Sequence, residues 1–211
     1  GTYFWDASVN AIFYGADGIP TYKSYMAFDG SGDYLSMPAS SDWDITGDYT
    51  WECWVNPNKN PAAATAVHMQ MMGQYLSSTD RNQFFLGDGG GVNMWLADGG
   101  SSDWYGNTGY QFEAGVWHHV AASRASGTLR VYIDGTELFN ASSSLDTNFS
   151  APFLIARKDG TMPFDGKMDQ VRISDTARYT SNFTAPTTPF TTDVNTKLLI
   201  QSDYSEGGLG A

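Results

Sequence analysis

The residues best able to do chemistry are aspartates in two separate parts of the chain. Asp29 and Asp33 flank a glycine-rich turn, and Asp169 has the parity of the apolar residues Val171 and Ile173. If those two residues face the core, Asp169 does too, and an unpaired buried carboxylate is costly. Calcium takes about six to eight oxygens from carboxylates, turn carbonyls and water, so one explanation is a metal ion between turn and strand. The alternative is that these aspartates only cap turns by accepting backbone N–H groups.

A second group of residues has the composition of a sugar-binding surface. Residues 97–110 are dense in glycine, serine, aspartate and aromatic residues, which predicts a loop. Aromatic faces pack against the C–H side of a pyranose, while amides and carboxylates bind its hydroxyl groups. The candidate ligand-binding residues are Trp104, Tyr105, Tyr110, Asp98, Asp103 and Asn107. The alternative is that these rings fold back onto the body of the protein. Arg157, Lys158 and Asp159 form a second polar loop with a comparable claim.

Catalysis has little support in the sequence. Glycoside hydrolases need two carboxyl groups at a set distance across a cleft, often as paired glutamates on one strand. The glutamates of this chain stand alone: Glu52, Glu113, Glu137 and Glu206. His118 and His119 point to opposite faces of a strand, and with His68 they form no zinc-ligand spacing. Nucleophile-elbow, P-loop and dinucleotide-binding patterns are absent. We therefore predict a protein that is not an enzyme, in which His118 and His119 are structural.

These residues must be positioned by β-strands, and the clearest strands lie in residues 115–138. Apolar residues at 129, 131 and 133 alternate with polar ones, which predicts a half-buried strand. Asp134-Gly135 supplies the positive φ angles of a type I′ turn, and residues 125–127 supply a second turn. The whole stretch therefore predicts a β-meander.

Three further segments bear on the candidate sites. Residues 25–28 and 34–37 flank the acidic turn and are predicted to pair as a hairpin. Residues 49–56 carry bulky side chains of both parities, which indicates a strand covered on both faces or lining a concave surface. Cys53 within it is predicted to be a buried apolar residue. The methionine-rich residues 67–75 fit either helix or strand, and we choose strand on fold grounds.

The chain carries WHHVAASR at residues 117–124 and LRVYIDG at residues 129–135. These segments resemble the signature WHHVAVTR…LRLYIDG of laminin-G-like, concanavalin A-like jelly-roll domains, and residues 28–35, 49–57 and 164–173 fit the same family in order. The resemblance implies an all-β fold: an antiparallel two-sheet β-sandwich of the jelly-roll type. It also implies a calcium ion near the rim. The implied ligands are Asp29 and Asp169 by side chain and Asp33 by side chain or carbonyl.

The length and charge of the chain bear on its domain organisation and on the partners that it can bind. We predict N-terminal edge strands in residues 1–24, one jelly-roll domain in residues 25–200 and a flexible tail in residues 201–211. The net charge is −12, with 19 Asp and 4 Glu against 11 basic residues. Such a surface repels phosphate backbones, so no nucleic-acid partner is expected. No apolar run approaches the roughly 20 residues of a membrane span, so no membrane insertion is expected.

Residues 177–190 resemble the ARYTSNFTPPTAPF terminus of laminin-G-like domains in virion proteins of bacterial and marine viruses. The predicted function is a non-catalytic carbohydrate-binding or adhesion module of a virion or other extracellular surface protein. Its implied cofactor is calcium and its implied partner is a surface glycan. One alternative is a structural virion or decoration subunit that contacts neighbouring virion subunits; another is a glycoside hydrolase.

Overall fold

A computed structural model describes residues 25–60, 68–87, 91–106 and 108–202. The predicted edge strands in residues 1–24, residues 203–211 of the predicted tail, and Asn107 lie outside the described residues. Within the described part, thirteen strands form two sheets in which all pairs are antiparallel. The predicted all-β sandwich is confirmed. The same residues contain no helix of the length and apolarity that a membrane span requires.

One sheet has seven strands and contains the predicted meander. Its strands are β1 Met26–Asp29, β3 Tyr49–Pro57, β8 His118–Ala125, β9 Thr128–Ile133, β10 Thr136–Ser142, β12 Asp165–Ser174 and β13 Thr196–Ile200. Their order is β1-β12-β3-β8-β9-β10, and β13 also pairs with β12.

The second sheet has six strands. They are β2 Leu35–Met37, β4 Met69–Ser77, β5 Asp80–Leu86, β6 Val92–Asp98, β7 Ser101–Tyr105 and β11 Phe153–Ile155. Their order is β2-β11-β4-β5-β6-β7, so β11 inserts between strands that come much earlier in the chain. The methionine-rich run is strand β4, as predicted. A short 3₁₀ helix, Ser41–Trp43, precedes β3.

The predicted meander is confirmed as β8, β9 and β10. Ser126 and Gly127 have φ angles of 47° and 75°, and Asp134 and Gly135 have φ angles of 51° and 79°. Two successive positive φ angles are the signature of the type I′ turn, whose twist matches that of the flanking strands. The sequence therefore predicted both reversals correctly.

Two local predictions were wrong. Residues 25–28 and 34–37 do not pair as a hairpin: β1 pairs with β12 in the seven-stranded sheet, and β2 pairs with β11 in the six-stranded sheet. The acidic turn therefore crosses from one sheet to the other. Residues 97–110 are not all loop, because Ser101–Tyr105 folds back from the Gly99-Gly100 turn and pairs with β6.

The core lies between the sheets, and its largest fully buried side chain is Trp51. Trp51 meets Phe153 of the other sheet edge to face, at 5.3 Å between ring centroids. Cys53 is fully buried, as predicted. The other face of β3 is also buried, because residues 175–192, here called the C-terminal strap, lie over it, and Tyr179 donates a hydrogen bond to Glu52 at 2.8 Å.

Candidate functional site

The acidic turn uses its aspartates for its own hydrogen bonds. Oδ1 of Asp29 accepts the N–H of Ser31 at 2.8 Å and that of Gly32 at 3.2 Å. Oδ2 of Asp33 accepts the N–H of Asp29 at 3.2 Å. This is the capping arrangement that the sequence left open as the alternative. Asp29 and Asp33 therefore stabilise the crossing between the two sheets.

Asp169 does not face the core, and the parity argument for it was wrong. A β-bulge between Asp169 and Arg172, with Gln170 at a φ angle of 52°, shifts the alternation by one residue. Asp169 therefore lies opposite Trp54 on the outer face, while Val171 still belongs to the core. Its Oδ1 accepts the backbone N–H of Ser202 at 2.9 Å and the hydroxyl of Ser202 at 2.8 Å. Burial raises the pKa of Asp169, and the Ser202 hydrogen bonds partly offset that rise.

The three aspartates do not fit one calcium site. Asp29 is the register partner of Asp165, so Asp169 lies four positions further along β12. Four residues of a strand span about 13 Å, which is too far for one ion to bind both carboxylates. Among the described residues, no group of three histidine, cysteine, aspartate or glutamate side chains has a metal-binding arrangement. The calcium implied by the resemblance thus has no site made of Asp29, Asp33 and Asp169 together.

Tyr105 and Tyr110 of the predicted sugar platform do not share one surface. Tyr105 is buried in the core, and its hydroxyl donates to Oδ2 of Asp103 at 2.6 Å. Burial, together with the bond to Asp103, raises the pKa of Tyr105 to about 12. Tyr110 packs edge to face on Phe112 at 5.0 Å and on His118 at 5.4 Å between ring centroids. Both tyrosines therefore fold back onto the body of the protein, as the alternative interpretation of the sequence predicted.

The remaining platform residues have separate positions. Asp98 ends β6, and its Oδ2 accepts the N–H of Asn148 at 3.0 Å. Trp104 occupies the register position opposite Trp95. Asn107 lies outside the described residues. Tyr105 thus lies in the core, Asp98 at the end of a strand and Tyr110 against Phe112 and His118.

The structure instead forms a cleft on the outer face of the six-stranded sheet, the face turned away from the core. The cleft has a volume of about 270 Å³, and its lining combines two tyrosines with one basic and one acidic side chain. The lining residues are Tyr34, Ser36, Tyr75, Pro152, Leu154, Arg157, Asp159 and Gly160. Ser36 and Leu154 are register partners in β2 and β11, and both project outward because Phe153 and Ile155 fill the core.

The loop of residues 156–162 holds the basic side of the cleft. Two buried glutamines anchor it to the sheet: Gln70 donates to the carbonyl of Arg157 at 2.9 Å, and Gln83 donates to Oε1 of Gln70 at 2.8 Å. Three non-glycine residues of the loop have positive φ angles: Ala156 at 67°, Asp159 at 26° and Met162 at 53°. Such backbone persists only where the surroundings enforce it, and it clusters at binding sites.

Three basic side chains, here called the cleft cations, are Arg81, Arg157 and Lys158. Each lies over an aromatic ring of the same outer face. The distances to the ring centroid are 4.9 Å for Arg157 over Tyr34, 4.2 Å for Lys158 over Tyr75 and 3.4 Å for Arg81 over Trp95. Arg81 is also the register partner of Tyr75, so it lies beside the cleft. Cation–π contacts of this kind hold a flexible side chain in place without neutralising its charge.

The surroundings of the cleft disfavour the charged forms of Lys158 and Arg81. Burial lowers the pKa of Lys158, and the neighbouring charge of Arg81 lowers it further, while Asp159 acts in the opposite sense. Burial also lowers the pKa of Arg81. The cleft therefore holds partly dehydrated donors that a ligand rich in oxygen could satisfy.

Sequence reasoning identified the loop of Arg157 to Asp159 but missed Tyr34, Tyr75, Arg81 and Trp95. A signal was present in β5, where Arg81 and Gln83 alternate with residues that face the core. Parity alone could not show which distant loop packs on that outer face. The site is assembled from segments that are more than a hundred residues apart in the chain.

The most prominent buried acid lies elsewhere, beneath the C-terminal strap. Glu52 is fully buried and contacts His119 at 3.0 Å, Arg172 at 2.7 Å and Tyr179 at 2.8 Å. Burial alone would raise the pKa of Glu52, but the hydrogen bond with His119 and the charge of Arg172 help to lower it overall. A ligand cannot reach this network, so we assign it a structural role.

His118 also takes part in packing. Its Nδ1 lies 2.7 Å from Oδ2 of Asp134, in the turn between β9 and β10, and its ring packs against Tyr110 and Phe112. The two histidines lie on opposite faces of β8, as strand geometry requires. The structure thus agrees with the prediction that both histidines are structural.

Two antiparallel sheets packed face to face, with the core between them, define a β-sandwich of two sheets. A family model described as the concanavalin A-like lectin/glucanases superfamily matches residues 29–182, and the chain belongs to that superfamily. No curated protein sequence matches the chain.

Several solved structures share the fold. Domain 4 of AbnA, a GH43 extracellular arabinanase from Geobacillus stearothermophilus, was solved in complex with arabinotriose. It is similar with a TM-score of 0.62 and 21% identity, over 81% of this chain and 77% of that chain. A protein of Bacteroides ovatus proposed to bind carbohydrate has a TM-score of 0.60 and 18% identity, over 87% of this chain and 53% of that chain. Domains LG4-5 of the mouse laminin alpha1 chain have a TM-score of 0.53 and 15% identity, over 77% of this chain and 46% of that chain. The chain thus spans about half the length of the last two.

Proposed function

We propose that the chain is a non-catalytic carbohydrate-binding module whose sugar ligand lies in the cleft of the six-stranded sheet. The observation that carries the proposal is the convergence of Tyr34 and Tyr75 on one cleft beside Arg157. Tyr34 is 47% exposed, and an aromatic ring with one wet edge suits the C–H face of a sugar. The guanidinium of Arg157 and the ammonium of Lys158 are donors for hydroxyl oxygens.

The solved neighbours make a sugar the first ligand to test. One of them was solved with arabinotriose, and another is proposed to bind carbohydrate. Likeness at such low identity carries the fold alone, so the position of the ligand is argued from the residues of this chain.

The proposed function is binding without hydrolysis, and the chemistry of the cleft supports it. Asp159 is the one carboxylate among the residues that line it, whereas the usual glycosidase mechanism uses two. Glu52, which has a perturbed pKa, lies beneath the C-terminal strap. The setting that we propose is adhesion at the surface of a virion or another extracellular protein. It rests on the resemblance of residues 177–190 to virion proteins.

A glycan array compared across three proteins tests the proposal. The proteins are the full chain, the Tyr34→Ala/Tyr75→Ala double variant and a Tyr25→Ala control. Tyr25 stacks with Lys167 at 4.7 Å, so the control removes a similar aromatic–cation pair outside the cleft. We expect selective binding that the double variant loses and the control keeps. Binding that survives in the double variant would contradict the assigned site. If the folded protein binds no glycan on the array, the result would favour a structural subunit whose partners are other proteins.

A further inference from the structure

We propose that the cleft recognises an acidic polysaccharide, one whose sugars carry carboxylate or sulfate groups, through Arg81, Arg157 and Lys158. This inference rests on the proposed function and names the class of sugar.

Most basic side chains of the described residues have an acidic partner. Six of the ten form ion pairs within 4 Å of a carboxylate: Lys59, Arg124, Arg130, Arg172, Arg178 and Lys197. Acidic residues outnumber basic ones by 23 to 11 in the chain, so a basic residue without a partner is unexpected. Of the four unpaired ones in the described part, Lys167 lies over Tyr25 and the other three are the cleft cations.

Arg81 also has an unused donor. Its Nε is buried and has no hydrogen-bond partner among the described residues, while its Cζ lies 3.4 Å from the centroid of the Trp95 ring. A buried donor without an acceptor is disfavoured, and an anionic oxygen is the strongest acceptor that it can gain. Arginine presents a planar fork of N–H groups that matches both carboxylate and sulfate oxygens.

Nearby acids do not cancel this charge. Asp159 lines the cleft but lies beyond ion-pair distance from Lys158, since no such pair forms within the described residues. Asp80, next to Arg81, accepts hydrogen bonds from Ser77, Thr79 and Gly99. These hydrogen bonds lower the pKa of Asp80, so its carboxylate stays charged. The three cleft cations still exceed the two carboxylates, Asp80 and Asp159, and the local charge is positive. A surface that is acidic elsewhere repels a nucleic acid, which is charged at every phosphate, but leaves a local basic site open to a more sparsely charged glycan.

Isothermal titration calorimetry with matched polysaccharides tests the inference. One arm compares polygalacturonate with its methyl ester, and the other compares a sulfated galactan with its desulfated form. The proteins are the full chain, Arg157→Gln, Lys158→Gln and the control Lys167→Gln. We expect one acidic form to bind at least about tenfold more tightly than its neutral counterpart, since a charge-assisted hydrogen bond is worth about that factor. We expect that preference to be lost in Arg157→Gln and Lys158→Gln and kept in Lys167→Gln.

Each other outcome overturns a specific claim. Equal affinity for acidic and neutral forms overturns the acidic class. A preference that survives both cleft variants overturns its assignment to the cleft cations. The proposed function then stands if Tyr34→Ala/Tyr75→Ala still abolishes binding. No binding of any polysaccharide by folded protein overturns the function and the inference together. A preference in the polygalacturonate arm would identify carboxylate as the recognised group, and a preference in the galactan arm would identify sulfate.

Discussion

Glu52 and Arg172 lie directly opposite each other on β3 and β12, and Nη2 of Arg172 is 2.7 Å from Oε1 of Glu52. The Glu52 side chain is fully buried, and that of Arg172 is 9% exposed. Tyr179 of the C-terminal strap donates to the other carboxylate oxygen. The outer face of the seven-stranded sheet is therefore closed by a charged network, whereas the outer face of the six-stranded sheet carries the cleft.

Removing Arg172 should strongly destabilise the protein. In Arg172→Met, Glu52 keeps its burial but loses its cationic partner, and breaking a buried pair costs about 3–5 kcal/mol. Lys197→Met is the matched control, because its ion pair with Asp175 is partly exposed and such pairs contribute little to stability. Chemical denaturation measures both. Equal losses in the two variants would show that the network contributes no more than a surface pair.

The stability of the protein should fall in acid partly because of Glu52. Its pKa is lower in the folded protein than the ordinary value of 4.5. A carboxyl group of this kind contributes stability above its ordinary pKa, and that stability is lost as the pH falls through the folded-state value. We expect the free energy of unfolding to decrease less steeply below about pH 4.5 in Glu52→Gln than in the unmodified chain. An equal decrease in the free energy of unfolding in both proteins would mean that Glu52 does not cause the loss of stability in acid.

Gly135 should be harder to replace than Gly127, although both have positive φ angles. A Cβ at Gly135 would lie 1.9 Å from the carbonyl oxygen of Phe183 in the C-terminal strap, whereas the nearest atom at Gly127 would be 3.9 Å away. Gly127→Ala therefore bears only the left-handed backbone penalty of about 1–2 kcal/mol. Gly135→Ala must also displace the strap, at a further cost of about 1–3 kcal/mol.

Denaturation curves and limited proteolysis of the strap check that comparison. Faster cleavage within residues 175–192 is expected in Gly135→Ala alone. Similar stability and similar cleavage in both variants would contradict the contact between Gly135 and Phe183.

Calcium should not act through Asp169. Its carboxylate accepts two hydrogen bonds from Ser202 and lies away from the acidic turn. We expect Asp169→Asn to change the melting temperature by the same amount in calcium and in EDTA. Scanning calorimetry of both proteins in both buffers makes the measurement. A calcium-dependent difference between them would restore Asp169 as a ligand.

The candidate site shows where prediction from the sequence ended. The loop of Arg157 to Asp159 was recognised as polar and exposed, because its composition is local information. Tyr105 and Tyr110 were candidates for the same reason, but one lies in the core and the other packs on His118. Composition shows that a segment is rich in aromatic residues, whereas the direction of each ring depends on its strand register.

The sequence by itself determined the strands of the meander and the two positive-φ turns, and its resemblance to laminin-G-like domains implied the all-β sandwich. Alternation and turn chemistry act over a few residues, so they are present in the local pattern. Only the tertiary structure decided that Asp169 points outward, because a single bulge at Gln170 reverses the parity of a strand without a residue type that announces it. The tertiary structure also decided that Tyr34, Tyr75 and Arg157 lie around one cleft. They meet because β11 pairs between β2 and β4, which are distant from it in the chain. The register of such a pairing depends on the packing of the whole core.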